Sequence, residues 1–141
     1  MSTPAKVLVV ANRTADSDEL HAALVERAHD GPIDVTLLAP ATWEVVDPHG
    51  GRQSAWRRLN AALTRLAAAG ITARGVVGDP DPVAAVQGIW DAERYDEVIV
   101  ATLPRHLSRW LGLDLPHRVE HLTGSPTLHV VATERPVAAQ P

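Results

Sequence analysis

The fold of this chain is indicated most directly by the stretch Glu97-Val-Ile-Val-Ala-Thr-Leu-Pro-Arg105. Its first residues form an apolar, β-branched run, which is typical of a strand that is buried on both faces of a sheet. The residues after it predict a polar turn, a long loop and then a short final helix. In an α/β fold this turn is where a phosphate normally binds, usually in a glycine-rich loop. Here Ala101, Pro104 and Asp114 stand where such glycines are expected.

Four other runs have the same apolar, β-branched character. They are Lys6–Ala11, Asp34–Ala39, Thr72–Val77 and Thr127–Val131, and with Glu97–Ala101 they make five predicted strands. Most are continuously apolar rather than alternating. That pattern favours a parallel sheet with helices on both faces.

Segments of helical period separate these strands. Asp16 and Ser17 offer N-caps for a first helix that runs to about His29. The second helix carries an apolar stripe and ends at a C′ glycine, Gly70. The members of that stripe are Trp56, Leu59, Leu63, Leu66 and Ala67.

Two further helices complete the pattern. The third opens after Asp79-Pro-Asp-Pro82, with Val83, Val86 and Trp90 on one face, and ends near Tyr95. The fourth runs from about Leu115 to Thr123 and stops at Gly124-Ser-Pro126. Alternating strands and helices predict one α/β domain over residues 1–141, built as a three-layer α/β/α sandwich with five parallel strands. We expect a folded core over 5–132, a surface loop at Pro40–Arg52 and a mobile tail at 133–141.

Composition narrows the classes of function. The 141 residues are 45% hydrophobic and 21% charged, and they contain no cysteine, so disulfides and thiolate sites are excluded. The net charge of −4 argues against binding to nucleic acid or to acidic membranes. The first apolar run is too short for a signal peptide or a membrane span, and we therefore expect a cytoplasmic protein.

Three segments resemble the universal stress protein family. They are Gly75-Val-Val-Gly-Asp-Pro-Asp-Pro-Val83, Tyr95-Asp-Glu-Val-Ile-Val100 and Ser125-Pro-Thr-Leu-His-Val-Val131. The resemblance covers nearly the whole chain. It implies the strand order 3-2-1-4-5, a role in stress response and a homodimer joined through the last strand. Because Thr127–Thr133 is apolar and would otherwise be an exposed edge, a homodimer is the default expectation.

ATP-binding members of that family carry Gly-x2-Gly-x9-Gly-Ser/Thr after the fourth strand. In this chain the first glycine becomes Ala101, the second Pro104 and the third Leu113 or Asp114, while Asn12 replaces the usual acidic residue after the first strand. Proline removes an N–H donor. Each lost hydrogen bond to a charged phosphate costs about 1.5–3 kcal/mol. The resemblance therefore implies that ATP is not bound in the family manner, and we expect no cofactor.

In an open parallel sheet, ligands bind where the winding direction reverses. The strand order that the resemblance implies places this reversal between the first and fourth strands. The candidate ligand-binding residues are Asn12, Arg13, Thr14, Thr102, Arg105, His106 and Arg109. One hypothesis is that Arg13, Arg105 and Arg109 replace backbone amides as holders of a phosphorylated or acidic ligand. The other, which we favour, is that these arginines are solvated or paired with Asp114 and Glu120.

No residue pattern predicts catalysis or a metal site. His117-Arg-Val-Glu-His121 matches the H-x-x-E-H motif of inverted zinc peptidases, but its histidines point away from the predicted buried stripe of Leu115, Val119 and Leu122. No Gly-x-Ser-x-Gly elbow is present.

Four tryptophans remain to be assigned. Trp56 and Trp90 lie on helical stripes and are expected in the core. Trp43 and Trp110 lie in loops, where core closure, which we favour, and ligand stacking are both open. The sequence favours a non-enzymatic universal-stress-type module that regulates or binds; the alternative is a protein that binds a nucleotide or other phosphate in the arginine-lined crevice.

Overall fold

A computed structural model describes residues 3–41, 52–90, 95–104, 107–112 and 114–133. Strands and helices alternate along these ranges. In chain order they are β1 (Ala5–Val10), α1 (Asp18–His29), β2 (Ile33–Pro40), α2 (Arg52–Ala68), β3 (Thr72–Gly78), α3 (Pro82–Trp90), β4 (Glu97–Thr102), α4 (Arg109–Gly112), α5 (Leu115–Thr123) and β5 (Thr127–Val131).

The five strands form one parallel sheet in the order β3-β2-β1-β4-β5. The predicted fold class and strand order are therefore confirmed. Each strand lies within one residue of its predicted bounds, and β5 has the predicted bounds themselves. β1 lies at the centre, with Val10 opposite Leu38 of β2 on one side and Val100 of β4 on the other.

The core lies on both faces of this sheet. Alternate residues of β1 point to opposite faces: Val7 and Val9 belong to the cluster beneath α1 and α2, while Leu8 and Val10 belong to the cluster beneath α3 and α5. All four are fully buried, which explains why this strand is continuously apolar from Val7 to Val10. Each such side chain contributes about 1.5–3 kcal/mol through its burial.

The helix caps follow the sequence signals. Ser17 caps α1, since its hydroxyl accepts a hydrogen bond from the Leu20 N–H at 3.1 Å. Gly70 follows α2 with a φ of +77°, as a C′ glycine requires. The Asp81 carboxylate accepts from the Val83 N–H at 3.0 Å at the start of α3, and Asp79 holds the preceding turn.

The predicted apolar stripe of α2 is wrong at two positions. Trp56 is 41% exposed instead of buried, and Ala67 is exposed too. The buried side of the helix is formed by Ser54, Ala55, Leu59, Ala62 and Leu66. At about 3.6 residues per turn, Trp56 and Ala67 lie roughly a quarter of a turn from the centre of that buried side, on its margin. The predicted stripe is therefore rotated about the helix axis relative to the side that packs on the sheet.

Other expectations have mixed outcomes. Leu122 is exposed, so only Leu115 and Val119 form the buried side of α5. The predicted long loop after β4 contains the short helix α4. Thr133, the first residue of the predicted tail, donates to the Glu19 carboxylate at 3.2 Å.

Several expectations fall on other parts of the chain. Residues 42–51 of the predicted Pro40–Arg52 loop, with Trp43, lie outside the described residues, as do residues 134–141 of the tail. α3 ends at Trp90, and residues 91–94 of its predicted extension lie outside as well. Within the described ranges, no helix combines the length and the apolar character that crossing a bilayer requires.

Two glycines offer a matched test of the packing between β3 and α3. A Cβ at Gly78 would lie 2.9 Å from Leu38 Cδ1 and 3.0 Å from the Ala85 Cβ, whereas a Cβ at Gly88 would meet open space. We expect Gly78→Ala to lower the free energy of unfolding by about 1–3 kcal/mol through overpacking. Gly88→Ala should raise it by about 0.5–1 kcal/mol, because alanine loses less backbone entropy within a helix. Urea unfolding followed by circular dichroism measures both, and a stabilised Gly78→Ala would contradict this packing.

Candidate functional site

The winding direction of the sheet reverses between β1 and β4, so the candidate crevice lies at their carboxyl ends. The polar residues Asn12 and Thr14 follow β1, and Thr102 ends β4. All three are buried, and Asn12 and Thr14 are each only 2% exposed. Each reaches a different neighbour.

Asn12 ties the end of β1 to β2 and α2. Its Nδ2 donates to the Pro40 carbonyl at 2.7 Å, and its Oδ1 accepts from the Arg58 guanidinium, also at 2.7 Å. Both ends of the amide are therefore used inside the protein. A buried amide needs such partners, since leaving it unsatisfied costs about 1–3 kcal/mol.

Thr14 ties the same loop to β4. Its hydroxyl donates to the Ala101 carbonyl at 3.1 Å, and this bond runs across the point at which the sheet reverses. Ala101 occupies the first glycine position of the family motif. Here it is a fully buried residue within β4, opposite Val130 of β5.

Thr102 turns away from the crevice toward β5. Its hydroxyl lies 2.8 Å from His129 Nε2. Partial burial lowers the pKa of His129, which favours the neutral imidazole. The Thr102 hydroxyl is thus engaged with the edge strand.

The structure describes some of the basic candidate residues and not others. Arg13 is exposed beside Asn12, and Arg109 is the first residue of α4. Arg105 and His106 lie outside the described residues. Asp114 and Glu120 were expected as carboxylate partners for these arginines. Asp114 contacts His117 at 3.4 Å, and Glu120 accepts from the Thr127 N–H at 3.3 Å.

Among the described residues of the turn after β4, three hydrogen-bonding groups that could face an anion are absent or used within the protein. Pro104, at the second glycine position of the family motif, has no N–H to donate. Its carbonyl accepts from the Leu107 N–H at 2.8 Å, which removes a further donor. The Leu111 N–H in turn donates to the Ser108 hydroxyl at 3.2 Å. These three contributions to a phosphate loop are therefore absent or already used.

Asp114 has a left-handed backbone. Its φ is +54° and its ψ is +42°, and among the described residues no other residue besides glycine has a positive φ. This conformation is one that glycine adopts without strain. Leu113, the other predicted counterpart of the third glycine, lies outside the described residues.

Trp110 of α4 is partly buried and packs against the cluster beneath α3 and α5. This contact favours core closure over ligand stacking for Trp110. The two histidines of the zinc-like motif, His117 and His121, are exposed on α5. Among the residues that the structure describes, no three His, Asp or Glu side chains lie close enough together to hold a metal ion.

Two residues near the site were missed by sequence reasoning. Arg58 reaches Asn12 because α2 runs antiparallel to the strands, so its first turns lie at the carboxyl edge of the sheet. Its position off the apolar stripe indicated a residue outside the core of α2. Nothing in the sequence indicated which residue its side chain contacts. His129 carried no signal, since only the parallel pairing of β4 with β5 brings it to Thr102.

The left-handed backbone at Asp114 can be tested by substitution at that single position. We expect Asp114→Gly to be more stable than Asp114→Ala by about 1 kcal/mol, because alanine is strained at positive φ and glycine is not. This difference corresponds to about 3 °C in Tm for a domain of this size. Thermal unfolding of both variants measures it, and equal Tm values would place the left-handed residue elsewhere.

Comparison with known proteins was made at the level of sequence and of structure. The sequence matches no protein-family model and no curated protein. Solved structures are similar. A universal stress family protein from Burkholderia pseudomallei is 16% identical, with a TM-score of 0.66 over 94% of this chain and 99% of its own.

Two further solved structures contain nucleotides. A universal stress family protein from Arabidopsis thaliana with AMP bound is 14% identical, with a TM-score of 0.64 over 98% of this chain and 96% of its own. A universal stress protein in complex with cAMP is 22% identical, with a TM-score of 0.61 over 94% of this chain and 100% of its own. At these identities the likeness concerns the fold. The chain therefore has the universal stress protein fold.

Proposed function

We propose that this protein is a regulatory module of the universal stress type that does not hold ATP in the manner of the ATP-binding members. The observation that carries this proposal is the hydrogen bond from the Thr14 hydroxyl to the Ala101 carbonyl, at 3.1 Å. This bond joins the two strand ends between which a nucleotide would bind. It consumes a donor on one side of the crevice and an acceptor on the other.

The neighbouring side chains support the same proposal. Asn12 replaces an acidic residue and is bonded at both ends of its amide, to Pro40 and to Arg58. A nucleotide that needed this amide would have to break two short hydrogen bonds within a buried site. Specific binding of a small ligand depends on polar groups of the pocket that can form hydrogen bonds with it.

The loop after β4 adds an energetic argument. Three groups that could donate to a phosphate are missing or used: the absent N–H of Pro104, the N–H of Leu107 and the N–H of Leu111. Each hydrogen bond to a charged group contributes about 1.5–3 kcal/mol. Losing three of them changes affinity by a factor of at least 10³, which is enough to abolish micromolar binding.

A thermal-shift titration with ATP and Mg²⁺, AMP, cAMP and inorganic phosphate tests this proposal. We expect ATP at millimolar concentration to leave Tm unchanged, because a ligand raises Tm only when it binds the folded state. The matched variant combines Ala101→Gly, Pro104→Gly and Asp114→Gly, which restores the family glycines. A concentration-dependent rise of several degrees in the unmodified protein with ATP would contradict the proposal.

A second candidate function is supported by a specific observation. Arg13 is exposed beside Asn12 after β1, and Arg109 begins α4 after β4, so two of the three arginines predicted to hold an anion lie in the segments that follow these strands. Two of the similar solved structures contain AMP and cAMP. These points support a protein that binds a nucleotide or other phosphate through arginine instead of glycine-rich backbone.

The same titration separates this candidate from the first. If AMP, cAMP or phosphate raises Tm, Arg105→Ala and Arg109→Ala should each abolish that rise while leaving the Tm of the free protein nearly unchanged. Arg118→Ala, on the exposed side of α5, is the matched control and should keep the rise. If both crevice variants respond like the unmodified protein, the arginine-lined crevice is wrong.

We also propose that two copies associate through β5. This strand is an edge of the sheet, and its side chains Leu128 and Val131 are 55% and 50% exposed. They lie on opposite faces of the strand, since neighbouring positions alternate. An open, apolar edge of this kind favours pairing with another strand.

Charge introduced at this edge tests the dimer. We expect Leu128→Lys combined with Val131→Lys to convert the dimer to a monomer, because lysine is disfavoured in a buried strand edge. Size-exclusion chromatography with light scattering measures the mass. Trp56→Lys changes a similarly exposed apolar residue on the far side of the sheet and should leave the dimer intact. A monomeric unmodified protein at micromolar concentration would refute this assembly.

A further inference from the structure

Charge is distributed unevenly along the chain. Residues 52–78, which form α2 and β3, contain five arginines and no acidic residue. The rest of the chain carries eight basic and seventeen acidic residues. The arginines are Arg52, Arg57, Arg58, Arg65 and Arg74. An otherwise acidic protein therefore presents one strongly basic segment.

Three of these arginines serve the fold. Arg65 donates to the Asp18 carboxylate at 3.0 Å and to the Asp16 carbonyl at 3.1 Å, which joins α2 to α1. Arg58 holds Asn12. Arg74 of β3 donates to the Thr36 hydroxyl at 3.2 Å. The basic character at these positions is explained by internal contacts.

Arg52 and Arg57 differ from the other three. Arg57 donates to the Ser54 hydroxyl at 3.2 Å, a partner without charge. Within the described part of the chain, no carboxylate lies within ion-pair distance of either guanidinium. Both residues are exposed. Their positive charge is thus directed to solvent.

Trp56 stands beside Arg52, while Arg57 projects from the adjoining side of α2, where its guanidinium contacts Ser54. Trp56 is 41% exposed, and it lies one helical turn from Arg52, so the two side chains are neighbours on the same face. Trp56 also shares a stripe with Leu63, which lies over Gly75 of β3. The indole therefore sits on the flank of α2 above the sheet edge at β3, opposite the flank that contacts α1.

We propose that the Trp56 face, defined by Trp56 and Arg52 and bordered by Arg57 on the adjoining exposed side of α2, is a docking surface for an acidic segment of a partner protein. Tryptophan and arginine are enriched among the residues that dominate binding energy at protein interfaces. The indole offers apolar area that the core does not use. The Arg52 guanidinium beside it offers bidentate contacts to a carboxylate, and Arg57 adds positive charge at the border of the face.

Charge complementarity selects an acidic partner. Residues 52–78 contain no acidic residue, and within the described part of the chain no carboxylate pairs with Arg52 or Arg57. A protein segment with carboxylates next to an aliphatic residue matches both the charge and the indole. Nucleic acid carries the same sign of charge, but the net charge of −4 on the whole chain opposes a long polyanion more than a short segment.

Fluorescence anisotropy with two labelled peptides tests this surface. One peptide repeats Glu-Glu-Leu and the other repeats Lys-Lys-Leu. We expect the acidic peptide to bind the full chain with an affinity that falls as salt is raised, and we expect the basic peptide not to bind. Trp56→Ala and the double variant Arg52→Glu, Arg57→Glu should each weaken binding by at least about tenfold.

Arg118→Glu is the matched control, since it reverses an exposed arginine on α5, on the other side of the sheet, and should change the affinity less than about twofold. Circular dichroism confirms that each variant is folded. The proposal is overturned if the acidic peptide does not bind at millimolar concentration, or if both face variants bind it normally. Tighter, Trp56-dependent binding of an oligothymidine, or a change of mass in Trp56→Ala, also overturns it in favour of nucleic acid or a second copy. These readouts use no nucleotide, so they succeed or fail independently of the crevice.

Discussion

The central strand β1 is covered by helices on both faces and flanked by β2 and β4, and this burial constrains everything at its end. Val7 to Val10 are fully buried, so the chain leaves the sheet still inside the protein. The side chains of Asn12 and Thr14, which come next, are buried and cannot reach water. Asn12 and Thr14 must therefore find partners within the fold, and they find them at Pro40, Arg58 and Ala101. The character of the crevice follows from this requirement.

The same constraint separates fold from function. Burial on both faces demands only apolar side chains at the strand positions, and many sequences satisfy it. The sheet can thus keep its order while the loops at its carboxyl edge change chemistry. Here Ala101 lies within a strand, Pro104 lacks an N–H, and Asp114 keeps a glycine-like backbone. The architecture tolerates all three because none of them disturbs the two-faced core.

α2 shows how packing allocates side chains between core and surface. Ala55, Leu59, Ala62 and Leu66 form the side of α2 that packs on the sheet, with Leu59 close above Gly75 of β3. Trp56 lies on the margin of that side and remains on the flank beside Arg52. An apolar residue that the core cannot use is then available for contacts outside the domain. An exposed indole therefore lies within the basic segment 52–78.

The sequence by itself determined the fold class, the strand bounds to within a residue and the caps at Ser17 and Gly70, because continuous apolar runs and capping residues act over short distances. The sequence also correctly placed Asn12 and Thr14 at the carboxyl edge of the sheet. Only the tertiary structure decided what they bind and on which side of α2 Trp56 lies. The apolar stripe of α2 is wide enough to allow two rotations of the helix about its axis. Only the packing of α2 on the sheet decides which side is buried. Contacts such as Arg58 with Asn12 join residues far apart in the chain, and no local pattern specifies them.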